Sequence, residues 1–313
     1  MTSVFPRSPG RPGRPGRPGP LRRRGIDSLP PTVAAFILVP FLLEAAVVFG
    51  PAIQGVLLSF TEWRGIGSPK AVGLQNFREL ASDPVFATAF KNTARWLIVF
   101  GGLSGLLGLS LALFLKVERR GVALYRSLIF LPVIFSLVVT ALVWRVLYAP
   151  EGLFNNALQA VGLGSWSRIW LAEPRTVLYA LVVASLWRSA GYIMVLFLAG
   201  LKSIDPSLNE AARVDGASRW QLLRHITLPQ LKGVNSVVLS VIVIDALRSF
   251  DIVYALTRGG PYNSSELLST YMFKTAFATG RLGYASSIAV VVFLLAVTFI
   301  VLYLVRALRG DAE

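Results

Sequence analysis

The sequence predicts an all-α integral membrane protein that crosses the bilayer six times, and three observations predict it. Hydrophobic side chains make up 54% of the 313 residues and charged ones only 15%, too few charges for a water-soluble domain of that length. Three windows, Trp96 to Leu115, Ser127 to Trp144 and Leu282 to Val305, contain no charged residue, and each is about as long as a helix must be to cross the hydrocarbon. Three more, Thr32 to Phe60, Val177 to Leu201 and Val234 to Leu256, are long enough but carry isolated charges. Spans are therefore expected at about 32–60, 93–115, 125–148, 177–201, 234–256 and 284–306, within a membrane domain of residues 32–308.

A formal net charge of +15 raises nucleic acid as a partner, so the placement of the charge decides. Segments 1–31, 116–126, 202–232 and 306–313 fall on one side of a six-span topology and hold 18 Lys and Arg, whereas 61–91, 149–176 and 257–285 hold 9. The positive-inside rule then puts both termini and the 202–232 loop in the cytoplasm. The partner implied is a bilayer, not nucleic acid. The chain has no cysteine and one histidine, which excludes disulfides, thiolate metal sites, a Cys nucleophile and a multi-His site. No G-x-x-x-x-G-K-[ST] occurs, so no cofactor is expected here and any ATP and Mg belong on another chain.

Taken in order, the chain opens with three Arg-Pro-Gly units and Arg22-Arg23-Arg24, a composition that cannot offset the entropy of folding, and residues 1–31 are expected to be a disordered basic tail. The first span carries Pro40, Pro51 and Glu44; the carboxylate is costly against lipid and should turn toward protein or snorkel. Trp63 suits the outer interface. The second span holds Gly101, Gly105 and Gly108, small residues that let helices approach closely. Leu131-Pro132 should kink the third span, and Trp166 and Trp170 fit an interfacial belt. In the fourth span Trp187-Arg188-Ser189-Ala190-Gly191-Tyr192 places an Arg near mid-membrane, which marks a functional position by default.

The polar interval Asp205 to Pro229 reads as two short helices and a turn. Asp205 caps the first helix ahead of Pro206, Gly216 ends it in a left-handed cap, and Ser218 with Gln221 forms a capping box for the second, which Leu228-Pro229 should stop. In the fifth span Asp245, Arg248 and Asp251 recur every three residues, which on one helix would let Arg248 neutralise either carboxylate, with Ser249 beside them. Residues 309–313 form a C-terminal tail.

Glu210-Ala211-Ala212, then Gly216, Ile226 and Leu228-Pro229 at full spacing, resemble the EAA loop of ABC-importer permeases. Val72-Gly73-Leu74-Gln75-Asn76-Phe77, Asn92-Thr93, Thr257-Arg258-Gly259-Gly260-Pro261 and Leu268-Ser269-Thr270-Tyr271 are similar to the sugar-importer branch. Arg258 departs from that branch, which usually has Gly or Asn there. The resemblance implies the type I ABC importer transmembrane fold, a second homologous permease, an ATPase dimer at the cytoplasmic face and an extracytoplasmic solute-binding protein. It implies that Glu210, Ala211, Ala212, Asp215, Gly216, Ile226, Leu228 and Pro229 form the ATPase-coupling element. It also brings Trp187, Arg188, Ser189, Tyr192, Asp245, Arg248, Ser249 and Asp251 to a sugar pathway between the fourth and fifth spans.

Other classes fit less well. A DNA-binding helix-turn-helix would need freedom that a hairpin joined at both ends to apolar helices lacks. A membrane enzyme would need more than His225. A secondary transporter would have no use for the Glu210 to Pro229 pattern and more often carries repeated spans.

Overall fold

The computed structural model describes residues 31–309; the expected basic tail lies, apart from Pro31, outside the described residues, as do residues 310–313. The described chain divides into two units, one ending at Pro51 and the other beginning at Ala52. In the first, α1 (Pro31–Glu44) passes into a π-helical turn, Ala45–Phe49. The Gly50 N–H reaches back to the Ala45 carbonyl, a register shift that widens the turn ahead of Pro51, which has no N–H to contribute. Glu44 is exposed in this single chain.

Helix α2 (Gly50–Leu58) leads to a two-strand ribbon, β1 (Thr61–Glu62) antiparallel to β2 (Lys70–Ala71), with Thr61 opposite Ala71. Then come α3 (Gln75–Ser82), α4 (Pro84–Leu115), α5 (Val122–Phe130), α6 (Leu137–Leu147), α7 (Leu153–Ala160) and α8 (Val177–Lys202). Helix α4 begins well before the expected residue 93, because Asp83 caps it with Oδ1 accepting from Val85 and Phe86 N–H and Pro84 occupies its first turn. After α8 the hairpin comprises α9 (Pro206–Val214), α10 (Arg219–Leu222) and α11 (Leu228–Gln230). Helices α12 (Lys232–Leu247), α13 (Asp251–Leu256), α14 (Leu268–Phe273) and α15 (Leu282–Arg309) complete the described chain.

Among the described residues four helices are long and apolar enough to cross a membrane: Phe36–Leu58, Pro84–Leu115, Val177–Lys202 and Leu282–Tyr303. The expected third and fifth spans need correction. The third is not a kinked helix: Val122–Ile134 and Leu137–Leu147 meet at 102°. Pro132 withdraws a donor, Phe135 and Ser136 are extended, and the Ser136 side chain caps α6 by accepting from Val139 N–H. Helix α8 packs at the bend so closely that a Cβ on Gly191 would lie 2.2 Å from the Ile129 carbonyl oxygen.

The fifth span ends as a helix at Leu247 and restarts at Asp251. No proline or glycine breaks it; its neighbours do. Ser249 Oγ donates to the Asp245 carbonyl and accepts from Trp96 Nε1, and Ser269 Oγ donates to the Ser249 carbonyl. Phe250 packs on Tyr254 and Phe273 at 5.0 and 4.8 Å between ring centroids. Backbone groups freed in this way are tolerated at membrane depth where they face protein or a cavity.

Helix α8 is the most buried span. Its N-terminal half joins Trp96, Phe100, Trp144 and Val253 in one core, and its C-terminal half joins Ala112, Leu231 and Ile242 in another. The glycines of α4 serve this packing: a Cβ on Gly108 would sit 2.4 Å from Ile193, and one on Gly101 would sit 3.3 Å from Ile242. A third core gathers Leu80, Ala89, Leu268, Tyr284 and Ile288.

Candidate functional site

The breaks in the third and fifth spans meet α8 at a cavity of about 230 Å³. Arg188 and Ser189 reach it from α8, Asp245 from the end of α12, Arg248 and Ser249 from the break, and Asp251 from the start of α13. Six of the eight residues expected along the pathway are therefore brought together. Trp187 and Tyr192 are not among the lining residues. Trp187 stacks on Phe135 and meets Trp144 edge-on, while Tyr192 packs against the core of Ala112, Leu231 and Ile242.

The expected single-face charge stripe is also corrected, since α12 stops between Asp245 and Arg248. Among the described residues no ion pair joins Arg188 or Arg248 to Asp245 or Asp251. Arg188 Nε is buried without a hydrogen-bond partner. Asp245, Arg248 and Asp251 are exposed in the single chain, so the cavity opens on its surface. Two guanidiniums that only donate and two carboxylates that accept thus line one small hollow with no contact ion pair between them, an arrangement suited to a polyhydroxylated ligand. Ser249 serves the break itself, with its hydroxyl already donating and accepting.

The cavity also contains Phe100, Leu137, Ser185, Phe250 and Ile252, which sequence reasoning missed. Ser185 had a signal, because it stands one turn before Ser189, whose Oγ donates to its carbonyl at 3.0 Å. Phe100 looks like any apolar span residue.

The hairpin that follows α8 is built as expected at its first helix and turn. Asp205 Oδ1 accepts from Ser207 N–H at 2.9 Å, and this bond holds its carboxyl below the usual range. Gly216 has φ of 81°, and around it Ala217 N–H bonds the Ala212 carbonyl while Gly216 N–H bonds that of Arg213, a Schellman cap. Ser218 and Gln221 complete the capping box at 2.8 and 3.3 Å. The expected stop at Pro229 is corrected: the chain stays helical to Gln230 through a π turn, Leu223–Thr227, in which Leu228 N–H bonds the Leu223 carbonyl. The device is the one seen before Pro51.

Glu210, Ala211, Asp215, Gly216 and Pro229 are exposed, and Ala212, Ile226 and Leu228 are partly so. Val214 at 88% and Trp220 at 64% exposure add apolar surface to the same hairpin, a pairing of capped polar backbone and open apolar side chains that suits a docking element.

At the opposite end, the residues read only as resemblance markers acquire jobs. Asn76 Nδ2 donates to the Ser59 and Thr61 carbonyls. Asn92 Nδ2 lies 3.0–3.2 Å from the carbonyls of Asn263, Ser264 and Glu266. Arg258 has φ of 49°, the left-handed backbone that Gly or Asn adopts at least cost, and its guanidinium lies 5.9 Å from the Tyr254 ring.

The sequence matches the family of binding-protein-dependent transport system inner membrane components over residues 104–310. It is 34% identical over 283 residues to a probable ABC transporter permease protein of Pyrococcus horikoshii, covering 90% of this chain and 97% of that one. It is 34% identical over 270 residues to the xylose/arabinose import permease protein XacH of Haloferax volcanii, covering 85% and 84%. The crystal structure of a bacterial ABC transporter that imports the acidic polysaccharide alginate superposes with a TM-score of 0.76 at 25% identity, over 89% of this chain and 95% of that one. With most of its length matched, this chain belongs to the binding-protein-dependent transport system inner membrane components, and its fold is that of a type I ABC importer permease.

Proposed function

We propose that this permease carries a sugar or related polyol into the cytoplasm by alternating access, as the membrane subunit of an ATP-driven importer. The observation that carries the reading is the cavity at the broken fifth span, where Arg188, Arg248, Asp245 and Asp251 stand unpaired with one another. Relatives named for xylose and arabinose, for starch degradation products and for trehalose and maltose support the substrate class.

In this reading the bent third and broken fifth helices each complete one crossing, giving six with both termini in the cytoplasm, where the Lys and Arg excess lies. A second homologous permease covers the open side of the cavity, which at about 230 Å³ falls below the roughly 300–1,000 Å³ of pockets that enclose a whole small molecule. ATP and Mg sit on an ATPase dimer that engages the hairpin through Glu210, Ala211, Ala212, Asp215, Gly216, Ile226, Leu228 and Pro229. A solute-binding protein delivers substrate outside. Differential contact in the two states is what lets the ATPase move the cavity, because a partner that binds both equally shifts nothing.

Uptake in proteoliposomes holding the whole complex is the test. Arg188→Ala or Arg248→Ala should each remove a charge-assisted bond of about 1.5–3 kcal/mol, lowering uptake efficiency roughly 10- to 150-fold while basal ATP hydrolysis persists. Wild-type uptake by both variants would reassign the charges to packing.

A further inference from the structure

A second hollow, about 600 Å³, lies between the inner end of α4, the α4–α5 turn and the hairpin. Its wall is apolar where α4 leaves the membrane, at Phe114, which is 81% exposed, and at Val117. Its rim carries Lys116, Arg119, Arg213 and Arg219, and no Asp or Glu lines it. Neighbouring charges are already employed. Arg126 Nε and Nη2 donate to the Leu115 carbonyl and cap α4, and Lys202 pairs with Glu118 at 3.0 Å. The four rim cations have no side-chain hydrogen bond or ion pair among the described residues. Glu210, one turn from Arg213, lines an adjoining cleft that Lys116 and Arg213 also border, and makes no ion pair with either among the described residues.

From this juxtaposition we infer that the hollow is a binding site for an anionic phospholipid, with the phosphate held by Arg119, Arg213 and their neighbours and the acyl chains lying along Phe114 and Val117. A basic pocket at the inner edge of a span is the chemistry that selects a charged headgroup. The wall decides between occupants: Phe114 belongs to the last turn of a membrane-crossing helix, a depth open to lipid tails. Because Arg213 and Arg219 sit on the hairpin, a bound headgroup would link two cytoplasmic turns and bias the aim of the coupling element. The inference rests on the cytoplasmic placement of the hairpin proposed above.

That placement has its own test. The chain is free of cysteine, so a Ser207→Cys variant should react with an impermeant maleimide from the cytoplasmic side alone. Lipid binding is read separately, by native mass spectrometry of the full chain in detergent titrated with phosphatidylglycerol or phosphatidylcholine. We expect the wild type to retain phosphatidylglycerol selectively and Arg119→Gln/Arg213→Gln to weaken retention about 30-fold, the effect of two interfacial cations. Arg224→Gln, which removes a charge from the hairpin outside the hollow, should change it less than twofold. If the double variant elutes as unfolded, Lys116→Gln replaces it, with about a fivefold loss expected. Equal retention by these variants, or equal binding of phosphatidylcholine, overturns the site. Displacement of the lipid by 10-fold excess inorganic phosphate would make it a free-anion site, and displacement on adding the ATPase subunit would make it part of the protein interface. Either result also overturns the lipid assignment.

Discussion

The two ends of the molecule handle polar groups in opposite ways. In the hairpin of residues 205–230 only Leu222 and Thr227 are buried, and its side-chain bonds are local caps closing on residues two to four positions away. In the loop of residues 257–275 the run Ser265–Thr270 is buried, and it is held by groups far away in sequence: Asn92 on three carbonyls, Thr93 accepting from Leu268 N–H, and Ser269 on the fifth-span break. Glu266, fully buried, pairs with Lys274. Below it Asp83 accepts from the hydroxyls of Tyr271 and Tyr284. Burial works to raise the Asp83 carboxyl, and the two hydroxyls and two backbone N–H groups hold it below its usual value; the Tyr271 hydroxyl, buried against that carboxylate, is pushed up to about 12. One end is tied together by distant parts of the chain, with only Glu266 Oε1 left buried and unpartnered in that run. The other folds by local rules and leaves most of its side chains open.

The contrast yields a graded set of substitutions. The largest effect is expected at Gly259, where φ is +80° and a Cβ would lie 2.1 Å from Glu266 Oε2. Gly259→Ala should cost about 3 kcal/mol from strain and overlap together, seen as a drop of several degrees in the melting temperature of the purified chain. Asn92→Ala comes next, at about 2 kcal/mol, because it strips the donor from three loop carbonyls at once; proteolysis should then cut the 257–266 loop first. An unchanged melting temperature in both variants would dissolve the distinction between the two ends.

Gly216→Val probes the open end. A Cβ at this position would have no atom within 4 Å of it, so only the left-handed backbone resists, by roughly 1–2 kcal/mol. The spans should stay inserted and the melting temperature should fall by less than in Gly259→Ala, whereas the ATPase should no longer co-purify at wild-type stoichiometry. Retention of the ATPase with wild-type transport per ATP would remove the hairpin from coupling.

The smallest effect belongs to the surface pair Arg281–Glu79, 2.7 Å apart and about two-fifths exposed on each side. The hydrogen bond from Arg281 holds the Glu79 carboxyl below its ordinary value. A depressed carboxylate contributes stability above its unfolded pKa and loses it as pH falls through the folded one. Glu79→Gln should therefore cost about 0.5 kcal/mol at neutral pH, and its melting curve should converge with wild type below about pH 4. A gap that persists in acid would assign the loss to packing.

Apolar run lengths made the membrane class legible in the sequence, and short-range capping signals made the hairpin's first helix and turn legible. The bilayer demands uncharged windows, and Asp205, Gly216, Ser218 and Gln221 act on backbone groups within a few residues, so their roles are written locally. The cavity was half legible: isolated charges in apolar spans name Arg188, Asp245, Arg248 and Asp251, because lipid would penalise them. The helix break that gathers them was not, since residues 248–250 contain no proline or glycine and the break is made by Trp96, Ser269 and Phe273 from other helices. The sharp bend at Ser136 and the displacement of Trp187 and Tyr192 from the cavity were decided the same way. Local chemistry fixed where helices start and cap. Contacts between residues distant in the chain decided where two of them break, and therefore which charges face one another.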